Sequence, residues 1–153
     1  TVRNDPQPQV YDLYDATLAS LREGAELEPA LRRFERRLLE LLGYGVDFER
    51  EARRGEALRE DAYYHFHPGL GFVEMADGAG TEVHTGAVLR QIAADRYDDR
   101  AVLDEARRVL RTALAAALEG RELRTRAVAR AVSRSNGVEK RESSIALGVN
   151  IDH

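Results

Sequence analysis

The chain has 153 residues, of which 43% are hydrophobic and 33% charged, with a formal net charge of -4. That length suits one domain and is short for two. No apolar run approaches the roughly 18 to 20 residues a membrane helix needs, and the absence of cysteine excludes disulfides, thiolate nucleophiles and zinc sites built on sulfur.

The first ten residues, "TVRNDPQPQV", have no initiating Met, no basic start and no apolar core of a signal peptide; they read as a chain opened upstream. Over residues 8 to 23, Val10, Leu13, Tyr14, Leu18 and Leu21 recur at spacings of three and four, which predicts an amphipathic helix ending at Gly24. A second helix opens at Glu28 with Pro29 in its first turn, runs through Leu31, Phe34, Leu38, Leu41 and Leu42, and stops at "GYG", residues 43 to 45. The short linker between the two predicts an antiparallel pair.

Residues 46 to 61 are charged and read as a loop. "AYYHFH", a turn at "PGLG" and "FVEM" then predict a hairpin over about residues 62 to 75, with Tyr64 and Phe66 facing inward and His65 and His67 facing water. "ADGAGTEVH" reads as further turn. Thr85 suits the cap of a helix carrying Val88, Leu89 and Ile92. The longest helix begins at Asp98 and Asp99, places Val102, Leu103, Ala106, Val109, Leu110, Ala113, Leu114 and Leu118 along one side, and is expected to end at Gly120. A last helix is expected from Thr125 to about Arg134, and residues 135–153 as a flexible tail. The predicted fold is mainly α, a small helical bundle with one short β-hairpin insertion.

Three constellations are candidate sites. His65 and His67 share a strand face, a spacing seen in metal sites, but no motif links them to His84, Glu60, Asp61, Glu74 or Asp77; no metal and no cofactor is expected. No nucleophile, phosphate-loop or metalloprotease motif is present, so no catalytic residue is assigned.

The second constellation is "ALRRFERRLLELLGYG", where Arg32, Arg33, Arg36 and Arg37 are expected opposite Leu31, Phe34, Leu38 and Leu41. Like charges at i and i+4 oppose a helix by roughly 0.2 to 0.5 kcal/mol per pair. The face is either solvated surface or a basic wall beside an apolar groove that receives an acidic peptide.

The third is "EGRELRTRAVARAVSR", residues 119–134. Residues 105–142 hold ten basic against five acidic side chains, the rest thirteen against twenty-two. Arg121, Arg124, Arg126, Arg130 and Arg134 come after a glycine near an expected helix start. They are either solvated or converge with backbone amides on phosphate. With no aromatic among them, salt-sensitive backbone contact is favoured over base stacking.

"LEPALRRFERRLLELLGYGVDF", residues 27–48, and "ALEGRELRTRAV", residues 117–128, resemble conserved segments of the C-terminal helical domain of the recombination mediator RecO, with similarity from about residue 8 to residue 134. The resemblance implies a cytoplasmic, non-enzymatic role in RecF-pathway DNA repair and recombination. Implied partners are the acidic tail of the single-stranded DNA-binding protein, RecR, and single- and double-stranded DNA, with no membrane. It implies Arg32, then Arg33, as contacts for the tail carboxylates, and Arg121, Arg124 and Arg126 as the family's basic motif. Set against that family, no N-terminal OB-fold is recognised in the sequence, so the chain is expected to be a fragment, and "EREARRGE" and "GFVEMADG" stand where some relatives carry a four-cysteine zinc module. "IALGVNIDH", residues 145–153, resembles the opening strand of pyridoxine phosphate synthase, with Asn150, Asp152 and His153 at substrate-site positions; a remnant of a fusion to that enzyme is the alternative reading.

Overall fold

The computed structural model describes residues 7–148 apart from residues 79 and 81, with side chains described as far as residue 136. Four helices and three strands run in the order α1 (Gln7–Arg22), α2 (Leu27–Leu41), β1 (Tyr63–His67), β2 (Gly71–Met75), β3 (Val83–Thr85), α3 (Gly86–Ala93) and α4 (Arg100–Gly148). Up to Ala117 the described residues form one compact unit, and from Leu118 a second. The fold is mainly α with a small antiparallel sheet, as the sequence implies.

Two glycines end the first two helices by one mechanism. Gly24 has φ +102° and Gly43 φ +84°, a left-handed conformation open to glycine at little steric cost. The amides of Gly24 and Ala25 donate to the carbonyls of Leu21 and Ser20, and those of Gly43 and Tyr44 to Glu40 and Leu39. Both sets close the helix end in a Schellman motif. At the start of α3, the Thr85 hydroxyl accepts the Val88 amide at 3.4 Å, so Thr85 is the expected cap.

The hairpin pairs Tyr63 with Met75, His65 with Val73 and His67 with Gly71. Tyr64 and Phe66 are buried while His67 is exposed and His65 half-buried, as strand alternation requires. The strand order is β2-β1-β3, so a third strand lies on the other edge of β1, with Tyr64 opposite His84. "EVHT" is therefore not simply turn: Val83, His84 and Thr85 pair with β1. The sheet packs into a core with Leu39, Phe48, Leu58, Leu89, Ile92 and, from α4, Val102, Ala106, Val109, Leu110 and Ala113.

Two boundaries differ from expectation. Helix α4 passes through Gly120 and continues to Gly148, so the break at Gly120 and the separate helix from Thr125 are corrected to one helix, which takes in residues 135–148 of the expected tail. A glycine ends a helix when it turns left-handed; inside a helix it merely weakens it by about 1 kcal/mol. Gly120 is followed by "RELRTRAVAR", good helix formers, whereas Gly43 stands two residues before another glycine and then a β-branched residue. Ile145 to Gly148, which resemble part of a strand in another enzyme, are helical here. The remaining positions of that resemblance, including Asn150, Asp152 and His153, lie outside the described residues.

Candidate peptide and nucleic-acid interfaces

Helix α2 has an apolar stripe at Leu27, Leu31, Phe34, Leu38 and Leu41, but this is not the side it buries most deeply. Pro29, Ala30, Arg32 and Leu39 are its buried residues. Leu27 is 58% exposed and Leu31 36%, while α1, the helix that packs beside α2, buries none of its own residues completely. The expected wall of four arginines is corrected accordingly: Arg32 and Arg36 turn toward the core and only Arg33 and Arg37 stay on the surface.

Each arginine has a distinct role. Arg32 is 7% exposed, and its Nε lies 2.5 Å from Glu35 Oε1 one helical turn on. The N–H is not aimed along that line, so the contact is ionic without an aligned hydrogen bond. Arg33 reaches Asp95 just past the end of α3 and remains half exposed. Arg36 donates from Nη1 to the Ile92 carbonyl at 2.7 Å and lies over the Phe48 ring, 5.0 Å from its centroid. Arg37 pairs with Glu40 at 2.7 Å on the outside of α2.

Asp95 stands in the left-handed region, φ 61°, and so turns the chain out of α3. Tyr97 is buried beside it. Burial first, and then the Asp95 charge, push the Tyr97 phenol above its ordinary range. Sequence reasoning missed Arg36, Asp95 and Tyr97 as the group that joins α2 to α3. A positive φ at a single aspartate leaves no periodic signature.

The loop between α2 and β1 is organised by Glu51, which is 7% exposed. One carboxylate oxygen accepts the Arg53 and Arg54 amides at 2.6 and 2.7 Å, and the other the Glu74 amide of β2 at 3.2 Å. Burial pushes the Glu51 carboxyl up, but the three backbone donors outweigh it and hold the group below the usual carboxylate range.

The histidines divide. His84 is buried, its Nδ1 2.9 Å from Glu105 Oε1 and its ring edge-on to Phe72. His65 lies 3.2 Å from the Glu82 carbonyl and edge-on to His67, ring centroids 4.6 Å apart. His65, Glu82, His84, Arg108 and Thr112 line a cleft of about 280 Å³. Among the described residues, no group of three or more His, Asp or Glu is placed to hold a metal ion.

In the second unit, Arg121, Arg124 and Arg126 are all exposed on α4. They lie within a helix and not at its start, so the expected convergence of free backbone amides with guanidiniums is corrected: those amides belong to the helix. Nor do the three share a face. At about 100° per residue, Arg121 and Arg124 lie about 60° apart, and Arg126 stands about 140° or more from either. Arg126 pairs with Glu122 at 2.6 Å.

These elements define a class: a mainly helical domain with a small antiparallel sheet and arginines presented on two helices. The family model described as Recombination protein O C terminal matches residues 1–127, and the chain belongs to that family. It is 38% identical over 130 residues to the DNA repair protein RecO of Methylococcus capsulatus, covering 85% of this chain and 53% of that protein. It is 40% identical over 126 residues to the RecO of Legionella pneumophila subsp. pneumophila, covering 80% and 53%. To that of Halorhodospira halophila it is 37% identical over 136 residues, covering 86% and 57%. The chain spans about half the length of these relatives. No helix among the described residues is long and apolar enough to cross a membrane.

Proposed function

We propose that this chain is a cytoplasmic interaction domain of DNA repair and homologous recombination in the RecF pathway, acting by binding and not by catalysis. Its partners are the acidic tail of the single-stranded DNA-binding protein, RecR, and single- and double-stranded DNA. One observation carries the peptide part of this reading: the apolar stripe of α2 stays partly open, with Leu27 and Leu31 exposed and the arginines of the same helix beside it. An open apolar stripe of that kind takes an amphipathic segment by its apolar anchors, while guanidiniums receive its carboxylates. Arg33 is the accessible contact, and Arg32 enters when a tail carboxylate replaces Glu35. DNA meets the exposed Arg121, Arg124 and Arg126, by phosphate contact. Family membership supports the role in DNA repair, since relatives carry the name DNA repair protein.

The test is titration of a labelled acidic tail peptide onto the chain at low and high salt. Binding should weaken with salt and fall in Arg33→Ala and Arg32→Ala. Undiminished binding by both variants removes the arginines from the site, and no binding at low salt removes the stripe as a peptide site.

A further inference from the structure

The family match ends at residue 127, yet α4 continues to Gly148. The extension begins with two exposed arginines, Arg130 and Arg134, neither of which makes an ion pair among the described residues. With Arg126 they recur every four residues, so they lie within about 80° of one another around the axis and about 6 Å apart along it. Arg121 stands on the other side of the helix, 140° or more from each member of the row, and Arg124 lies between, about 80° from Arg134. Glu122 is the acid paired with the row, at Arg126.

Like charges at i and i+4 oppose the helix that carries them. Arg126 with Arg130, and Arg130 with Arg134, are two such pairs in succession, so the row is held against its own repulsion and an anion laid along it relieves both. Tyr97 is the last aromatic residue of the chain. A stacking platform for unpaired bases is therefore missing from this helix, and phosphates are what the row can recognise. A membrane surface fits less well. The apolar side of the same stretch, Leu118, Val128 and Val132, is interrupted by Arg121, which lies between the directions of the two valines.

We propose that Arg126, Arg130 and Arg134 form a second phosphate-contacting row, which lies along the backbone of double-stranded DNA on the face of α4 opposite Arg121. The proposal rests on the reading that this chain binds DNA. It adds a face that lies mostly beyond the family match, so that α4 touches two backbones, or two turns of one duplex, at once.

The experiment is the affinity of the whole chain for a labelled duplex of arbitrary sequence across a salt series, read by fluorescence anisotropy. The double variant R130A/R134A should bind more weakly at low salt, with a log-log salt slope shallower by about 1.8, since each phosphate contact contributes about 0.9. R130K/R134K keeps both charges and should keep the wild-type slope. A wild-type slope in R130A/R134A, alongside a reduced one in R121A/R124A, overturns the row and leaves the DNA-binding reading standing. No salt-dependent binding by the unaltered chain sinks both. Tighter binding to an oligothymidylate than to the duplex, or equal dependence on Arg130 and Arg134 for anionic lipid vesicles, overturns duplex DNA as the partner.

Discussion

Arg36 donates to the carbonyl of Ile92 at 2.7 Å, so that a side chain of α2 closes the C-terminal end of α3. The guanidinium also stacks on Phe48, which makes this arginine part of the core's edge. Arg36→Met keeps the stem and removes both contacts, and it should destabilise the domain by about 1.5 to 3 kcal/mol in urea unfolding. Arg37→Met, on the solvent side with its Glu40 pair, should stay within about 0.5 kcal/mol. Equal effects at the two positions would contradict the inward placing of Arg36.

Glu51 gives a prediction in pH. Its folded-state pKa is depressed, so its contribution is present above the unfolded value of 4.5 and is lost as pH falls through the folded one. Glu51→Gln should remove this acid-sensitive part, flattening the stability curve below about pH 4.5. At neutral pH, Glu51→Ala leaves three backbone donors unpaired and should lower stability by about 2 to 4 kcal/mol. Amide exchange at Arg53, Arg54 and Glu74 should rise with it.

Two glycines in helices should respond with opposite signs. A methyl on Gly86 would run into the Arg59 carbonyl oxygen, so Gly86→Ala must displace the backbone where α3 meets the loop before β1, at about 3 kcal/mol. Gly120 lies inside α4, and Gly120→Ala should stabilise by up to about 1 kcal/mol and raise the helical circular dichroism signal. Loss of helix in Gly120→Ala would restore the break that the sequence alone suggests.

Arg32 and Glu35 are 8% and 15% exposed at the side chain. Arg32→Ala strands the Glu35 charge and should destabilise by about 3 kcal/mol, while Arg32→Met with Glu35→Leu should recover most of the loss, because an apolar pair has no charge to desolvate. Peptide affinity and chemical denaturation measured on both variants separate a lost contact from a loosened helix. If the double variant is as stable as wild type and still binds the peptide fully, Arg32 is a structural residue alone.

Much of the fold could be read from residue order, for physical reasons that also explain the gaps. Gly24 and Gly43 announce helix ends because the apolar period stops just before each of them. Thr85 announces a start, and alternation sorts Tyr64 and Phe66 from His65 and His67. Strand β3 is too short for alternation to register, and its pairing with β1 depends on the tertiary approach of Val83 to His65. The facing of α2 failed because periodicity marks where leucines recur, not which side a neighbouring element covers. Here the core takes the side holding Arg32 and Leu39, and leaves Leu27 and Leu31 to α1 and solvent. The loop around Glu51 was beyond periodicity altogether, since one carboxylate bonding to residues two, three and twenty-three positions away has no repeat.

The chain contains six tyrosines and no tryptophan, which gives the buried phenol of Tyr97 a practical meaning. Its ionisation changes the near-ultraviolet absorbance, and that ionisation is held high by burial at the junction where Arg33 meets Asp95. Anything that pries α2 from the end of α3 admits water to the ring and lets it titrate earlier. An alkaline absorbance titration should therefore report how firmly α2 is seated, with Tyr97 ionising above the ordinary phenol range in the intact chain and moving back toward it in a variant that loosens α2.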